Sequence, residues 1–212
     1  MRERQPGLEA LLKQAPVIPV LVIGDVADAV PLARALVDGG LPVLEITLRT
    51  KAAPQCIRAI RAEVKDAIVG SGTVLDKDGL KLSADLGCAF AVSPGATPAL
   101  IDAAQGVATP LLPASRSPSE AMVLLEHGYA LQKFFPAEPS GGAAYLSALG
   151  SPLPQVKFCP TGGITAEIAP SYLELANVIT IGGSWMAPRS LIADKDWAGI
   201  TKLAAAAAKL KG

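Results

Sequence analysis

Two hydrophobic patterns alternate along this chain. Short, nearly continuous apolar runs occur at residues 17–23, 42–48, 67–72, 89–92, 109–112, 129–134, 155–159 and 178–181, as expected of strands buried on both faces. Between them the apolar positions return every three to four residues, the period of amphipathic helices, at 26–38, 52–64, 77–86, 98–105, 118–127, 143–149, 168–175 and 197–210. A short helix leads at residues 8–14, and Gly39-Gly40 stops the first long one. Strict strand–helix alternation predicts parallel strands joined by right-handed crossovers. Eight such units predict an α/β fold: a single (β/α)8 TIM barrel with a short N-terminal helix, residues 1–212 forming one domain. A doubly wound open sheet is the alternative. The Ala-rich end, Ala204 to Ala208, suits a helix packed closely on the rest.

Composition narrows the function. The 212 residues are half hydrophobic, and 19 basic residues balance 19 acidic ones. With no basic block, nucleic acid is not expected as a partner. A single histidine, His127, argues against a His-based metal site or a Ser-His-Asp triad, and its place at a helix end suits a C-terminal charge. Cys56, Cys88 and Cys159 lack Cys-x-x-Cys spacing, which predicts reduced thiols, a cytoplasmic protein and no structural zinc. The charged N-terminus has no apolar segment behind it, so no signal peptide is expected. No apolar run reaches ~18 residues, so no membrane span is expected either. Neither a Walker motif nor a complete dinucleotide fingerprint occurs, so no cofactor is expected.

In a barrel of this kind the functional groups sit at the C-terminal ends of the strands. On the second strand Glu45, Thr47 and Arg49 share one face, while Leu44, Ile46 and Leu48 share the other. The polar set should face inward, where Glu45 needs a cation. Arg49 and Lys133 are both available. Lys133 lies on an apolar sixth strand, Tyr129 to Phe134, where a desolvated ammonium is costly and a neutral amine could attack a carbonyl. Two readings follow. The pair is an internal salt bridge that fixes packing, or a Schiff-base lysine with a carboxylate that shuttles its protons. Arg49 suits a bidentate clamp for a substrate carboxylate, and Thr73 a hydrogen bond to the same group. Thr161-Gly162-Gly163 and Gly182-Gly183-Ser184 follow the seventh and eighth strands, where backbone amides and a following helix N-terminus could hold a phosphate. Trp185 is expected to pack over that loop and Trp197 on its own helix. Lys51, Lys65, Lys77, Lys81 and Lys202 are expected to be solvated.

Six segments together resemble one family. They are Val43-Leu-Glu-Ile-Thr-Leu-Arg-Thr50, Val69-Gly-Ser-Gly-Thr-Val-Leu75, Phe90-Ala-Val-Ser-Pro-Gly95, Lys133-Phe-Phe-Pro-Ala-Glu138, Val156-Lys-Phe-Cys-Pro-Thr-Gly-Gly-Ile164 and Ile181-Gly-Gly-Ser-Trp185. The chain resembles bacterial 2-keto-3-deoxy-6-phosphogluconate (KDPG) aldolase, the family that includes 4-hydroxy-2-oxoglutarate (KHG) aldolase. The resemblance implies a class I aldolase of the Entner–Doudoroff pathway, yielding pyruvate and D-glyceraldehyde 3-phosphate from a phosphorylated keto acid. It implies Lys133 as the Schiff-base lysine and Glu45 as the acid/base. Arg49 and Thr73 would hold the pyruvyl carboxylate, with Pro94 and Phe135 lining it. Thr161, Gly162, Gly163, Gly183 and Ser184 would hold the distal hydroxyl and phosphate. The family implies a homotrimer without metal. A phosphosugar isomerase or synthase, and a catalytically silent phosphometabolite binder, are the alternatives. One stretch departs from the family pattern: in Pro113-Ala-Ser-Arg116, Ala114 stands where glycine is usual and excludes positive-φ backbone, and Arg116 adds a charge near the mouth.

Overall fold

The computed structural model describes Gln5 and residues 7–210. The chain runs α1 (Leu8–Leu12), β1 (Val17–Leu21), α2 (Val26–Asp38), β2 (Val43–Thr47), α3 (Ala53–Glu63), β3 (Ile68–Gly72) and α4 (Lys77–Asp85). It continues with β4 (Ala91–Val92), α5 (Pro98–Ala104), β5 (Leu111–Leu112), β6 (Ala114–Ser115), α6 (Pro118–Glu126) and β7 (Leu131–Phe134). Then come a 3-10 turn (Glu138–Ser140), α7 (Gly142–Gly150), β8 (Lys157–Pro160), α8 (Ala169–Leu173), β9 (Ile181–Gly183), α9 (Arg189–Ala193) and α10 (Trp197–Ala207). Every predicted strand and helix is present within a few residues. The split fifth strand, the 3-10 turn and α9 carry no periodic signal and were not predicted.

The expectation of a closed eight-stranded (β/α)8 barrel is overturned. The strands are all parallel, but they form a curved six-stranded sheet in the order β5-β4-β3-β2-β1-β9 and a separate three-stranded sheet β6-β7-β8. The α/β class stands; the continuous ladder does not. Pro113 is one cause. It has no N–H to donate and divides the fifth strand, so Leu111–Leu112 pairs with β4 while Ala114–Ser115 pairs with β7. At the other edge, among the described residues, the strand pairing between the sheets is limited to the isolated bridges Phe158↔Val178 and Thr161↔Gly182. Gln5 stitches the first gap: its amide nitrogen donates to Leu111 O at 2.9 Å and Leu131 O at 2.7 Å, and its oxygen accepts from Leu131 N at 3.0 Å. Ala114 sits in extended strand backbone and needs no positive φ, so the departure there is absorbed without a change of loop shape.

Side chains sort as the alternation predicts. Leu44 and Ile46 join the large core between the sheets and the helices. Val43, on the opposite face of β2, joins an inner cluster with Ile18, Phe90, Leu112, Leu131 and Cys159, which Leu8 and Leu12 of α1 close. Side-chain caps start five helices: Asp25, Asp76, Thr97, Ser117 and Asp196 accept from the first turn, each worth about 1 kcal/mol. The Ala-rich α10 packs on α2 at Gly39, where any Cβ would overlap Ala204. His127 caps the C-terminus of α6.

Candidate active site

Parallel strands place the polar ends of β2 and β7 on one rim. Lys133 Nζ lies 3.4 Å from Glu45 Oε1, and the two residues are 5% and 4% exposed. The partner of Glu45 is therefore Lys133 and not Arg49. The Arg49 guanidinium turns the other way, its Nε donating to Thr73 Oγ1 at 2.9 Å. Thr73 takes φ +57°, an uncommon value for a β-branched residue, and so carries local backbone strain at the rim. Thr47, the middle member of the inward set, is structural: its hydroxyl donates to Leu21 O at 2.8 Å.

Two neighbours shape the pair. Gly72, which pairs in register with Thr47 in the next strand, lies against the Glu45 side chain, and a Cβ there would collide with Oε1 and lie 2.7 Å from Cγ. The absent side chain leaves the space the carboxylate occupies. Cys159 pairs in register with Lys133, and burial pushes its thiol up to about 12, against the opposing charge of Lys133. It stays a thiol beside the amine. The ring of Phe135 stands 5.2 Å from Nζ.

Phe135 also lines two cavities. One, of about 370 Å³, contains Arg49, Thr161, Gly162, Gly163, Gly183 and Ser184. The other, of about 450 Å³, contains Pro94, Ala114, Arg116 and Glu120. Pro94 is thus on the far side of Phe135 from the glycine loops. Gly162 and Gly163 adopt φ of +107° and +82°, and neither amide donates to a carbonyl among the described residues. Thr161 Oγ1, buried over Gly182, has no partner among the described residues beyond a weak contact with the Cys159 thiol. Such groups suit an anion and a hydroxyl. The expected helix-terminus contribution is not supported: α8 and α9 have five residues each and begin beyond the loops. Trp185 packs over Gly183, as expected.

Arg189 was not singled out from the sequence. It lines the first cavity, is exposed, and has no acidic partner among the described residues. A basic residue five positions after Ser184 was its only signal. Among the described residues no group of three or more His, Cys, Asp or Glu side chains could hold a metal ion.

A family profile described as KDPG and KHG aldolase matches residues 8–203. The chain belongs to this family. A 2-dehydro-3-deoxy-phosphogluconate aldolase of Pseudoalteromonas atlantica is 50% identical over 194 residues, which are 92% of this chain and 90% of that protein. The crystal structure of a KDPG aldolase of Zymomonas mobilis ZM4 with 3-phosphoglycerate is 45% identical, with a TM-score of 0.93 over 98% of this chain and 97% of that one. A KDPG aldolase of Legionella pneumophila, with pyruvate captured as a covalent carbinolamine, is 43% identical, with a TM-score of 0.92 over 95% of this chain and 98% of that one. Within the KDPG and KHG aldolase family, then, this chain carries a buried lysine–carboxylate pair, and Phe135, whose ring lies near the amine, also lines the cavity of the glycine loops.

Proposed function

We propose that the protein is a class I aldolase that cleaves 2-dehydro-3-deoxy-6-phosphogluconate to pyruvate and D-glyceraldehyde 3-phosphate through a Schiff base on Lys133. The observation that carries this reading is the isolated, buried Lys133–Glu45 contact at 3.4 Å. A covalent pyruvate carbinolamine in a 43% identical relative supports it.

The chemistry follows from the pair. Lys133 passes a proton to Glu45, and the freed amine adds to the C2 ketone to give a carbinolamine. Glu45 returns the proton to the departing hydroxyl; water leaves and an iminium forms. The iminium draws in the electrons of the C3–C4 bond as Glu45 removes the C4 hydroxyl proton, releasing the aldehyde. Glu45 then protonates C3 of the enamine, and water hydrolyses the iminium to release pyruvate and regenerate the amine.

Arg49 and Thr73 hold the carboxylate end, with Phe135 and Pro94 on either side of the reacting carbon. Thr161 binds the distal hydroxyl, and Gly162, Gly163, Gly183 and Ser184 hold the phosphate through their amides. 4-Hydroxy-2-oxoglutarate, also a 4-hydroxy-2-keto acid, enters by the same steps. An isomerase or a silent binder has no use for a buried amine set against a carboxylate. We extend the reading to a homotrimer in the cytoplasm. Exposed Leu75, Met122 and Val123 are consistent with an interface, and three unbridged cysteines with a reducing compartment.

The test is borohydride reduction in the presence of pyruvate, followed by mass mapping. The adduct is expected on the peptide containing Lys133. A folded protein with unmodified Lys133 overturns the proposal.

A further inference from the structure

Glu138 ends the Lys-Phe-Phe-Pro-Ala-Glu segment that begins at the reactive amine. Its amide donates to Gly162 O at 3.0 Å, and the Ala137 amide donates to Thr161 O at 2.8 Å. Its side chain lies flat on Gly163, where an added Cβ would sit 2.7 Å from Glu138 Cβ. Oε1 then accepts a hydrogen bond from the Tyr172 hydroxyl of α8. Tyr172 is fully buried; burial first, then the bond to Glu138 and its charge, push the phenol well above its ordinary value. It therefore remains a donor throughout the working range. Gly142 makes room for the contact: a Cβ there would fall 3.2 Å from Oε1 and 3.5 Å from the Tyr172 oxygen.

We infer that the Glu138–Tyr172 pair is a positioning brace for the Gly162-Gly163 amides, and that it sets the preference for a phosphorylated over an unphosphorylated substrate. The inference rests on the aldolase reading above. Two positive-φ glycines have no side chains to hold them, so without outside contacts they would sample other conformations. Glu138 grips both, one through its backbone and one through its side chain. The Tyr172 hydroxyl has a second effect. It ties the carboxylate to α8, whereas a free carboxylate could swing toward the phosphate and repel it. The pair acts through the loop; neither residue lines the cavity.

The experiment compares the parent protein with Tyr172→Phe, Glu138→Ala and Glu138→Gln. Steady-state constants are measured for the phosphorylated keto acid and for the same acid without its phosphate, alongside the rate of pyruvate trapping by borohydride. In Tyr172→Phe and Glu138→Ala the KM for the phosphorylated acid is expected to rise roughly three- to tenfold, the loss of one hydrogen bond. The KM for the unphosphorylated acid and the trapping rate should stay near parent values. Glu138→Gln, whose amide oxygen still accepts from Tyr172, should largely restore the phosphate preference. Equal changes for both acids, or none, overturn the brace. Should Tyr172→Phe fail to fold, Glu138→Ala decides, because Glu138 is exposed. A parent protein that does not trap pyruvate overturns the aldolase reading and the brace together. A parent that traps, with an unchanged substrate ratio in the variants, overturns the brace alone.

Discussion

Lys133 Nζ and Glu45 Oε1 lie 3.4 Å apart on strands from different sheets, 88 residues apart in the chain. Among the described residues, each is the only charged side chain in ion-pair contact with the other, and so offsets the cost of burying it. Replacing Lys133 by Ala should abolish cleavage and pyruvate trapping. It should also cost about 3–5 kcal/mol of stability by leaving a buried carboxylate alone. The double variant Lys133→Met/Glu45→Gln should recover much of that stability in denaturant melts while remaining inactive. If the double variant is no more stable than Lys133→Ala, the electrostatic account of the pair is wrong.

Glu45→Gln keeps the shape and removes the carboxylate proposed to shuttle protons. Its kcat should fall roughly 10²–10⁴-fold with an unchanged circular dichroism spectrum. Loss of the fold would instead mark the pair as a structural salt bridge.

Gly72 tests the same geometry from the neighbouring strand. Because a Cβ at this position overlaps the Glu45 carboxylate, Gly72→Ala should displace it from Lys133. Turnover should fall toward the Glu45→Gln level. Parent-like kcat in Gly72→Ala would mean that the carboxylate position does not matter.

Arg189 has no acidic partner among the described residues and lines the cavity that contains the glycine loops. Arg189→Ala should raise the KM of the phosphorylated substrate about fivefold, roughly 1 kcal/mol, and Arg189→Lys less. The difference should shrink in high salt. A KM independent of both substitution and salt would remove Arg189 from phosphate binding.

The three thiols should be silent in the native protein. Burial raises Cys56, pushes Cys88 up to about 11 and Cys159 to about 12, so at pH 8 the thiol is the dominant form of all three, and each side chain is buried. A thiol reagent at that pH should label none of them until denaturant exposes all three. Rapid native labelling of Cys159 would show that the space beside Lys133 opens.

Local pattern determined much of this protein. Every strand and helix read from apolar periodicity exists, because a strand buried on both faces and a helix buried on one leave different repeats. The inward face of β2 was legible for the same reason: Glu45 and Thr47 alternate with Leu44 and Ile46. So was the Gly162-Gly163 loop, which falls just after β8, whereas Gly182-Gly183, read as following a strand, forms the end of β9. The tertiary structure decided what depends on groups far apart in sequence. It chose Lys133 over Arg49 as the partner of Glu45, because Arg49 reaches Thr73 instead. It put Pro94 and Arg49 in different cavities, separated by Phe135. It also decided that the strands form two sheets and not one closed barrel. Repeat counting sees eight units, but closure requires an unbroken ladder of N–H donors, and Pro113 removes one where the curve would have to continue.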